Sequence, residues 1–222
     1  MDVIIPAAGL ATRMKGIPKF LLPCDELYTS LIERHLNNLI GIVDTIWIPT
    51  RPELVMLFES LGISRDKVVI LPVVTENMSQ TVSRVMQISS ADRFGLFMPD
   101  TYYLGDLPYE ALSKSSSFVQ LACWKIRDEQ KGKLGQVQLN DKNLVVDMQD
   151  KNQNCEYEYS WGAMSFSKQL YRYLNLSEPH IGYAVSSAVK AKENVEATVI
   201  NGDYFDCGTP TDYLQMLGKV LI

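Results

Sequence analysis

Histidine is scarce: of 222 residues only His35 and His180 are histidines. The four cysteines, Cys24, Cys123, Cys155 and Cys207, include no CxxC pair. A structural zinc site is thereby disfavoured, and so is a disulfide framework; free thiols in a reducing cytosol fit the spacing. No apolar stretch approaches the roughly 20 residues of a membrane span. Asp2 with no basic leader predicts no signal peptide. Basic excess is missing too. The formal net charge is −5, which argues against nucleic-acid and anionic-membrane partners. Repeats, low-complexity tracts and linkers are absent, and no Ser–His or Cys–His constellation for covalent catalysis stands out.

What is present is a globular composition, 46% hydrophobic and 21% charged. A chain of this length buries roughly 70% of its unfolded surface and needs no covalent staple. The first half alternates strand and helix. DVIIPA reads as a buried strand. LIERHLNNLIGI puts Leu31, Ile32, His35, Leu36, Leu39 and Ile40 on one helical stripe. TIWIP, KVVILP and FGLFMPD read as further strands, the last ending on Asp100. RPELVMLFESLG, closed by Gly62, and a segment from about Gln80 to Ile88 read as helices. Such alternation predicts a largely parallel sheet with helices on both faces.

The second half changes character. FVQLACWKI is a long strand, and KLGQVQLNDKNLVVDMQDK is a hairpin turning at Asn140–Asn143. YSWGAMSF is a strand, and SKQLYRYL and IGYAVSSAVKAKE are helices. ATVINGDYFDCG reads as a strand pair turned at Asn201-Gly202. In the closing helix Thr209 is placed to cap and Pro210 to take the first helical position. The expectation is one domain over 1–222, a nucleotide-binding half to about 116 and a second substrate half from about 117.

The loop after the first strand carries the chemistry. Ala7, Ala8 and Gly9 lie where open parallel sheets bind ligands, and small side chains let backbone amides approach an anion. Arg13 and Lys19 follow within reach of a phosphate, one as a fork and one as a point charge. The spacing is neither GxGxxG nor GxxxxGK[ST]. By itself the loop fits a phosphate cradle and an ordinary turn with solvated basic residues equally.

AAGLATRMKGIPKFLLP resembles the signature loop of the sugar-phosphate nucleotidyltransferases, through Gly9, Thr12, Arg13, Pro18, Lys19, Leu21, Leu22 and Pro23. FMPDTYY resembles that family's strand ending in a metal-holding aspartate, here Asp100. YFDCGTPTDYL resembles its Asp-x-Gly-Thr segment, here Asp206, Gly208 and Thr209. The landmarks stand in the family's order along nearly the whole chain. Ala11 departs from the pattern, standing where many relatives have glycine, and its Cβ predicts a negative φ.

The resemblance implies a Rossmann-like three-layer α/β/α fold with a predominantly parallel mixed sheet. It implies nucleotidyl transfer from a nucleoside triphosphate to a sugar 1-phosphate, catalysed by positioning and electrostatics. Arg13 would clamp the triphosphate and leaving pyrophosphate, and Lys19 would serve the α-phosphate. Asp100 and Asp206 would hold Mg²⁺; a turn cap and a helix cap are their plain structural alternatives. The backbone of Ala8 and Gly9 would help select the base. ENMSQTV resembles the segment that sets a Gln against it, here Gln80, which favours UTP or dTTP; a solvent-facing residue at a helix start is the alternative. VVDMQDKNQ resembles the family's Glu-Glu-Lys-Pro, with Asp150 for sugar hydroxyls and Lys151 for the sugar's phosphate. Asp replaces Glu there and Asn152 replaces Pro, and a hairpin-end charge pair is the other reading. Gly135 and Gly162 match positions where relatives admit the sugar, or are bulges. His180 reads equally well as a surface residue. A cytoplasmic location and a homodimer would be ordinary. Two other functions stay open: a silent nucleotide-sugar-binding regulator, and transfer from CTP to a non-sugar phosphorylated or phosphonate acceptor. A glycosyltransferase is disfavoured, because Asp100-Thr101-Tyr102 lacks an Asp-x-Asp pair.

Overall fold

The computed structural model describes residues 1–63 and 66–221. Four parallel strands form its first half: β1 (Asp2–Ile4), β2 (Ile46–Thr50), β3 (Val68–Pro72) and β4 (Arg93–Phe97). They lie in the order β4-β1-β2-β3. Helices α1 (Leu31–Leu39), α2 (Val55–Ser60) and α3 (Met78–Ile88) return the chain between them. Serine starts α1: Ser30 Oγ accepts from the Glu33 amide at 3.3 Å, and Glu33 Oε2 accepts from the Ser30 amide at 2.9 Å. The expected stripe of α1 is buried through Leu31, Ile32, His35, Leu36 and Leu39. Helix α3 begins two residues earlier than the periodicity suggests, because Asn77 Oδ1 accepts from the Gln80 amide at 2.9 Å and caps it.

Two elements after Asp100 escape the sequence reading: β5 (Thr101–Gly105) and α4 (Tyr109–Lys114). Then come β6 (Val119–Lys125), the hairpin β7 (Gly135–Leu139) with β8 (Val145–Asp150), and β9 (Tyr159–Ser167). The hairpin turn is pinned by Asn140 Oδ1, which accepts from the amides of Lys142 and Leu144 at 3.0 Å each. Strand β9 runs antiparallel between β6 and β4, and so welds the second half onto the first as one mixed sheet. SKQLYRYL is a 3₁₀ segment rather than an α-helix. α5 (Gly182–Lys190), β10 (Val195–Val199), β11 (Gly202–Asp206) and α6 (Pro210–Val220) complete the chain. Thr209 Oγ1 accepts from the Asp212 amide at 3.2 Å and caps α6, with Pro210 in its first turn. No helix among the described residues is long and apolar enough to cross a membrane.

Alternation along the strands of the large sheet builds two cores, and a third lies between the β5–β11 ribbon and α6 around Tyr102, Phe205 and Met216. Val3 and Ile5 join one with α1, α2 and α4, while Ile4 joins the other with α3 and α5. The outcome is the three-layer arrangement expected of such a pattern.

The Asn-Gly hairpin is a correction. Strand β10 pairs in parallel with β6 in the large sheet, whereas β11 leaves that sheet and pairs antiparallel with β5. The chain turns at Asn201-Gly202, but the strands either side of it take different partners, because the edge of β5 is open and antiparallel to β11. Gly202 faces Gly105 where this ribbon starts. A Cβ on Gly202, at φ +123, would lie 1.9 Å from the Leu104 carbonyl oxygen. Gly202→Ala is therefore expected to lower unfolding free energy by roughly 2–3 kcal/mol in urea titrations. Gly9→Ala, where a Cβ meets nothing within 4 Å, is expected to leave it within about 0.5 kcal/mol.

Candidate active site

The loop after β1 is shaped by anchors. Met14 is buried and holds the 3₁₀ turn Thr12–Met14. Pro18 leads into a second 3₁₀ turn, Lys19–Leu21, where Phe20 is buried and stacks on Phe58 at 4.8 Å between ring centroids. Sinking Phe20 into the core fixes the direction of its neighbour Lys19. Ala11 takes φ 49 and ψ 35, in the left-handed region. The negative φ expected from its Cβ is thus corrected: the tight turn keeps the glycine-like geometry and carries the strain, of order 1 kcal/mol. No described residue accepts a hydrogen bond from the amides of Ala8, Gly9 or Leu10. These donors stay open beside the strand's carboxyl end.

Asp100 occupies the turn between β4 and β5. Thr101 Oγ1 donates to the Met98 carbonyl at 2.9 Å and pins that turn. Behind it, Nδ1 of buried His35 is hydrogen-bonded with the Tyr109 hydroxyl at 2.9 Å, and its Nε2 lies 3.4 Å from Thr101 Oγ1. Burial pulls the His35 pKa down to about 4, so the ring is neutral at pH 7.

The β5–β11 ribbon puts Asp206 opposite Thr101, and the Cys207 amide donates to the Asp100 carbonyl at 2.9 Å. Two aspartates 106 positions apart in sequence thereby meet. Lys19 forms an ion pair with Asp100. Arg13 lies against Gly208: a Cβ there would stand 3.0 Å from Asp206 Oδ1 and 3.3 Å from Arg13 Nη2. Glycine at 208 lets the guanidinium and the carboxylate flank one point. Burial, then the charge of Asp100, raises the Asp206 pKa to about 6, against the opposing pull of Lys19 and Arg13.

A cavity of about 320 Å³ opens beside Lys19 and Asp100; Arg13 and Asp206 lie outside its lining, and Asp206 faces a separate small cavity shared with Arg127, Gln130 and Asp212. Ala8, Gly9, Lys19 and Asp100 line it, with Thr75, Glu76, Asn77, Thr81 and His180 on other walls. The last five were not recognised as cavity residues from sequence, although Asn77 was readable as a helix cap. Gln80 does not line the cavity. Its Oε1 accepts from the Glu76 amide at 3.1 Å, and its Nε2 reaches Glu76 Oε2 at 3.4 Å and the Leu176 carbonyl at 3.3 Å. The donor and acceptor expected to read a base are engaged within the protein.

The remaining expected residues divide. Asp150 ends β8, and Lys151 follows at φ 52 with its Nζ 3.1 Å from His180 Nε2, so this pair reaches the cavity wall through His180. Gly162 falls at the bulge where β6–β9 register slips, and a Cβ on it would stand 2.3 Å from buried Tyr204. A Cβ on Gly135 would stand 2.2 Å from the indole nitrogen of Trp161. Both glycines make room for aromatic side chains of the protein rather than opening a face to a ligand. Tyr204 itself packs with Tyr103 and Trp124 in the core.

No protein-family model matches the chain, and no curated protein does. Solved structures do. A Bacillus anthracis protein described as a candidate glucose-1-phosphate thymidylyltransferase, in complex with sucrose, superposes with a TM-score of 0.81 at 16% identity, over 99% of this chain and 95% of that one. A UDP-glucose pyrophosphorylase complexed with UDP-glucose gives 0.79 at 17%, over 98% and 97%. The inositol-1-phosphate CTP transferase of T. maritima gives 0.78 at 16%, over 99% and 95%. The chain shares their fold end to end, a Rossmann-like α/β arrangement.

The raised Asp206 pKa has a testable sign. Between about pH 4 and pH 6 the folded state keeps a proton on Asp206 that the unfolded chain has released. Stability therefore falls as pH rises through that window. Asp206→Asn, which cannot ionise, is expected to stabilise the protein by about 1–3 kcal/mol at pH 7.5, at 1.36 kcal/mol per pKa unit. Urea titrations at pH 4, 5, 6 and 7.5 should show the gain vanishing at the acid end.

Proposed function

We propose that this protein is an Mg²⁺-dependent nucleotidyltransferase that joins the nucleotidyl group of a nucleoside triphosphate to a sugar 1-phosphate and releases pyrophosphate. The observation that carries the reading is the Lys19–Asp100 ion pair on the wall of the cavity formed by the strand-end loop, with Asp206 and Arg13 flanking Gly208 just outside that lining. The shared fold of solved nucleotidyltransferases supports it.

The reaction brings two polyanions together. The open amides of Ala8, Gly9 and Leu10 suit phosphate oxygens. Arg13, exposed and forked, clamps the triphosphate and steadies the departing pyrophosphate. Lys19 faces the α-phosphate, exchanging its partner Asp100 for phosphate oxygen as the substrate enters. An acceptor phosphate oxygen then attacks the α-phosphorus, and charge spreads over groups already in place.

Asp100 and Asp206 fit a magnesium ion. They are hard oxygen donors, one in the turn before β5 and one at the end of β11, and burial followed by the charge of Asp100 disfavours the ionised form of Asp206, a cost that a cation relieves. Among the described residues no third carboxylate, histidine or cysteine joins them. That agrees with an ion that keeps water and borrows phosphate oxygens. Bound there, it would neutralise the phosphates. With Gln80 engaged elsewhere, its support for UTP or dTTP falls away, and the base is left to the assay.

Incubation with CTP, UTP, dTTP or GTP and a panel of sugar 1-phosphates is expected to release pyrophosphate, with loss of turnover in EDTA. Lys19→Ala is expected to cut kcat by roughly 10²–10³-fold with its far-ultraviolet circular dichroism unchanged. Undiminished turnover by that variant overturns the assignment. Nucleotide binding with no pyrophosphate release in any pairing would identify a regulator instead.

A further inference from the structure

The 320 Å³ cavity has a second end, built by the loop after β3 and the first turn of α3. Asp100 follows β4 and Thr75–Asn77 follow β3, with β1 and β2 standing between those strands. Three strand spacings separate the two ends by about 14 Å. A nucleotide held by its phosphates at the β1 loop, with its reacting end toward β4, lays its base toward β3. Pro6, Met78 and Met98 line the cavity and offer apolar surface to a flat ring.

The hydrogen-bonding groups at the β3 end are unevenly stocked. Thr75, Glu76, Asn77 and Thr81 line it, and their donors turn into the protein. Thr81 Oγ1 donates to the Asn77 carbonyl at 3.0 Å, so Thr75 Oγ1, 2.6 Å away, gives its one proton to Thr81. Asn77 Nδ2 donates to the Leu176 carbonyl at 2.9 Å, and the Glu76 amide donates to Gln80 Oε1 at 3.1 Å. Gln80 Nε2 is shared between the Leu176 carbonyl at 3.3 Å and Glu76 Oε2 at 3.4 Å. What remains is acceptor: lone pairs on Thr75 Oγ1 and the exposed carboxylate of Glu76, which pairs with no cation among the described residues.

We propose that Glu76, with Thr75 beside it, reads the nucleobase, and that the base it selects carries an exocyclic amine. The inference rests on the proposed function in taking this cavity for the triphosphate, and it reverses the preference for UTP or dTTP that Gln80 would have set. Adenine, cytosine and guanine each present an amine on the pairing edge, where uracil and thymine present carbonyls. A carboxylate accepts from an amine in a charge-assisted bond. The single N3–H of uracil lies between two carbonyls, so a carboxylate that reaches it meets acceptor oxygens on both sides. Pairing acceptor with acceptor leaves desolvated groups without a proton between them. Sites built around a required hydrogen bond reject ligands that lack it more sharply than apolar pockets reject an added group.

Calorimetric titration of the full-length protein with ATP, CTP, GTP, UTP and dTTP, in Mg²⁺ without acceptor, measures the choice of base before any turnover. The tightest of the amine-bearing triphosphates is expected to bind roughly tenfold or more tightly than UTP and dTTP. Glu76→Gln supplies a donor as well as an acceptor and is expected to bring that ratio within about threefold. Removing a charge favours every triphosphate alike, so the ratio carries the result. Tighter or equal binding of UTP or dTTP by the wild-type protein overturns the inference, as does a ratio that Glu76→Gln leaves unchanged. Selective binding with no pyrophosphate release from any pairing would sink the proposed function and leave the base reading standing. Pyrophosphate release from UTP as readily as from the amine-bearing triphosphates would do the reverse.

Discussion

The pairing of β11 with β5 is the constraint on which the site depends. It carries Asp206 across the molecule, sets it opposite Thr101 and ties the Cys207 amide to the Asp100 carbonyl. Two carboxylates at adjoining positions repel, and burial together with that repulsion lifts the Asp206 pKa to about 6. A fold selected for stability alone would not keep that arrangement. Lys19 and Arg13 offset part of the repulsion, and a bound cation would offset more.

Rigid parts aim the mobile charges. The ribbon is backed by an aromatic stack of Tyr103, Trp124 and Tyr204, and the Asp100 turn is backed by Tyr109, His35 and Thr101. Phe20 and Met14 anchor the loop that presents Lys19 and Arg13. Each charged group thus stands beside a buried neighbour in sequence or across a hydrogen bond. Packing energy, not the charges themselves, holds the constellation while it awaits a ligand.

Much of this was legible in the chain. The alternation of apolar strands with amphipathic helices announced the layered sheet, and Thr209 and Pro210 marked a helix start that the structure keeps. Pattern reading failed where the deciding fact was a partner distant in sequence. Strand β5 follows a strand end at Asp100 and carries no periodicity that separates it from its predecessor. The Asn-Gly signal described a local turn correctly and its strands wrongly, since pairing is settled by which edges are open. Ala11 misled because the φ preference of alanine is weak against a loop tied down at both sides. Gly135 and Gly162 are glycines because Trp161 and Tyr204 need the space, which no local pattern records.

The sequence by itself determined the architecture and the inventory of charges, because periodicity and cap chemistry act within a few residues and need no knowledge of the rest of the fold. Only the tertiary structure decided which charges share a space. It joined Asp206 to Asp100, spent the amide of Gln80 on Glu76 and Leu176, and brought His180 to Lys151. Coulomb and hydrogen-bond energies depend on distances of a few ångströms, and those distances are set by long-range strand pairing rather than by position along the chain.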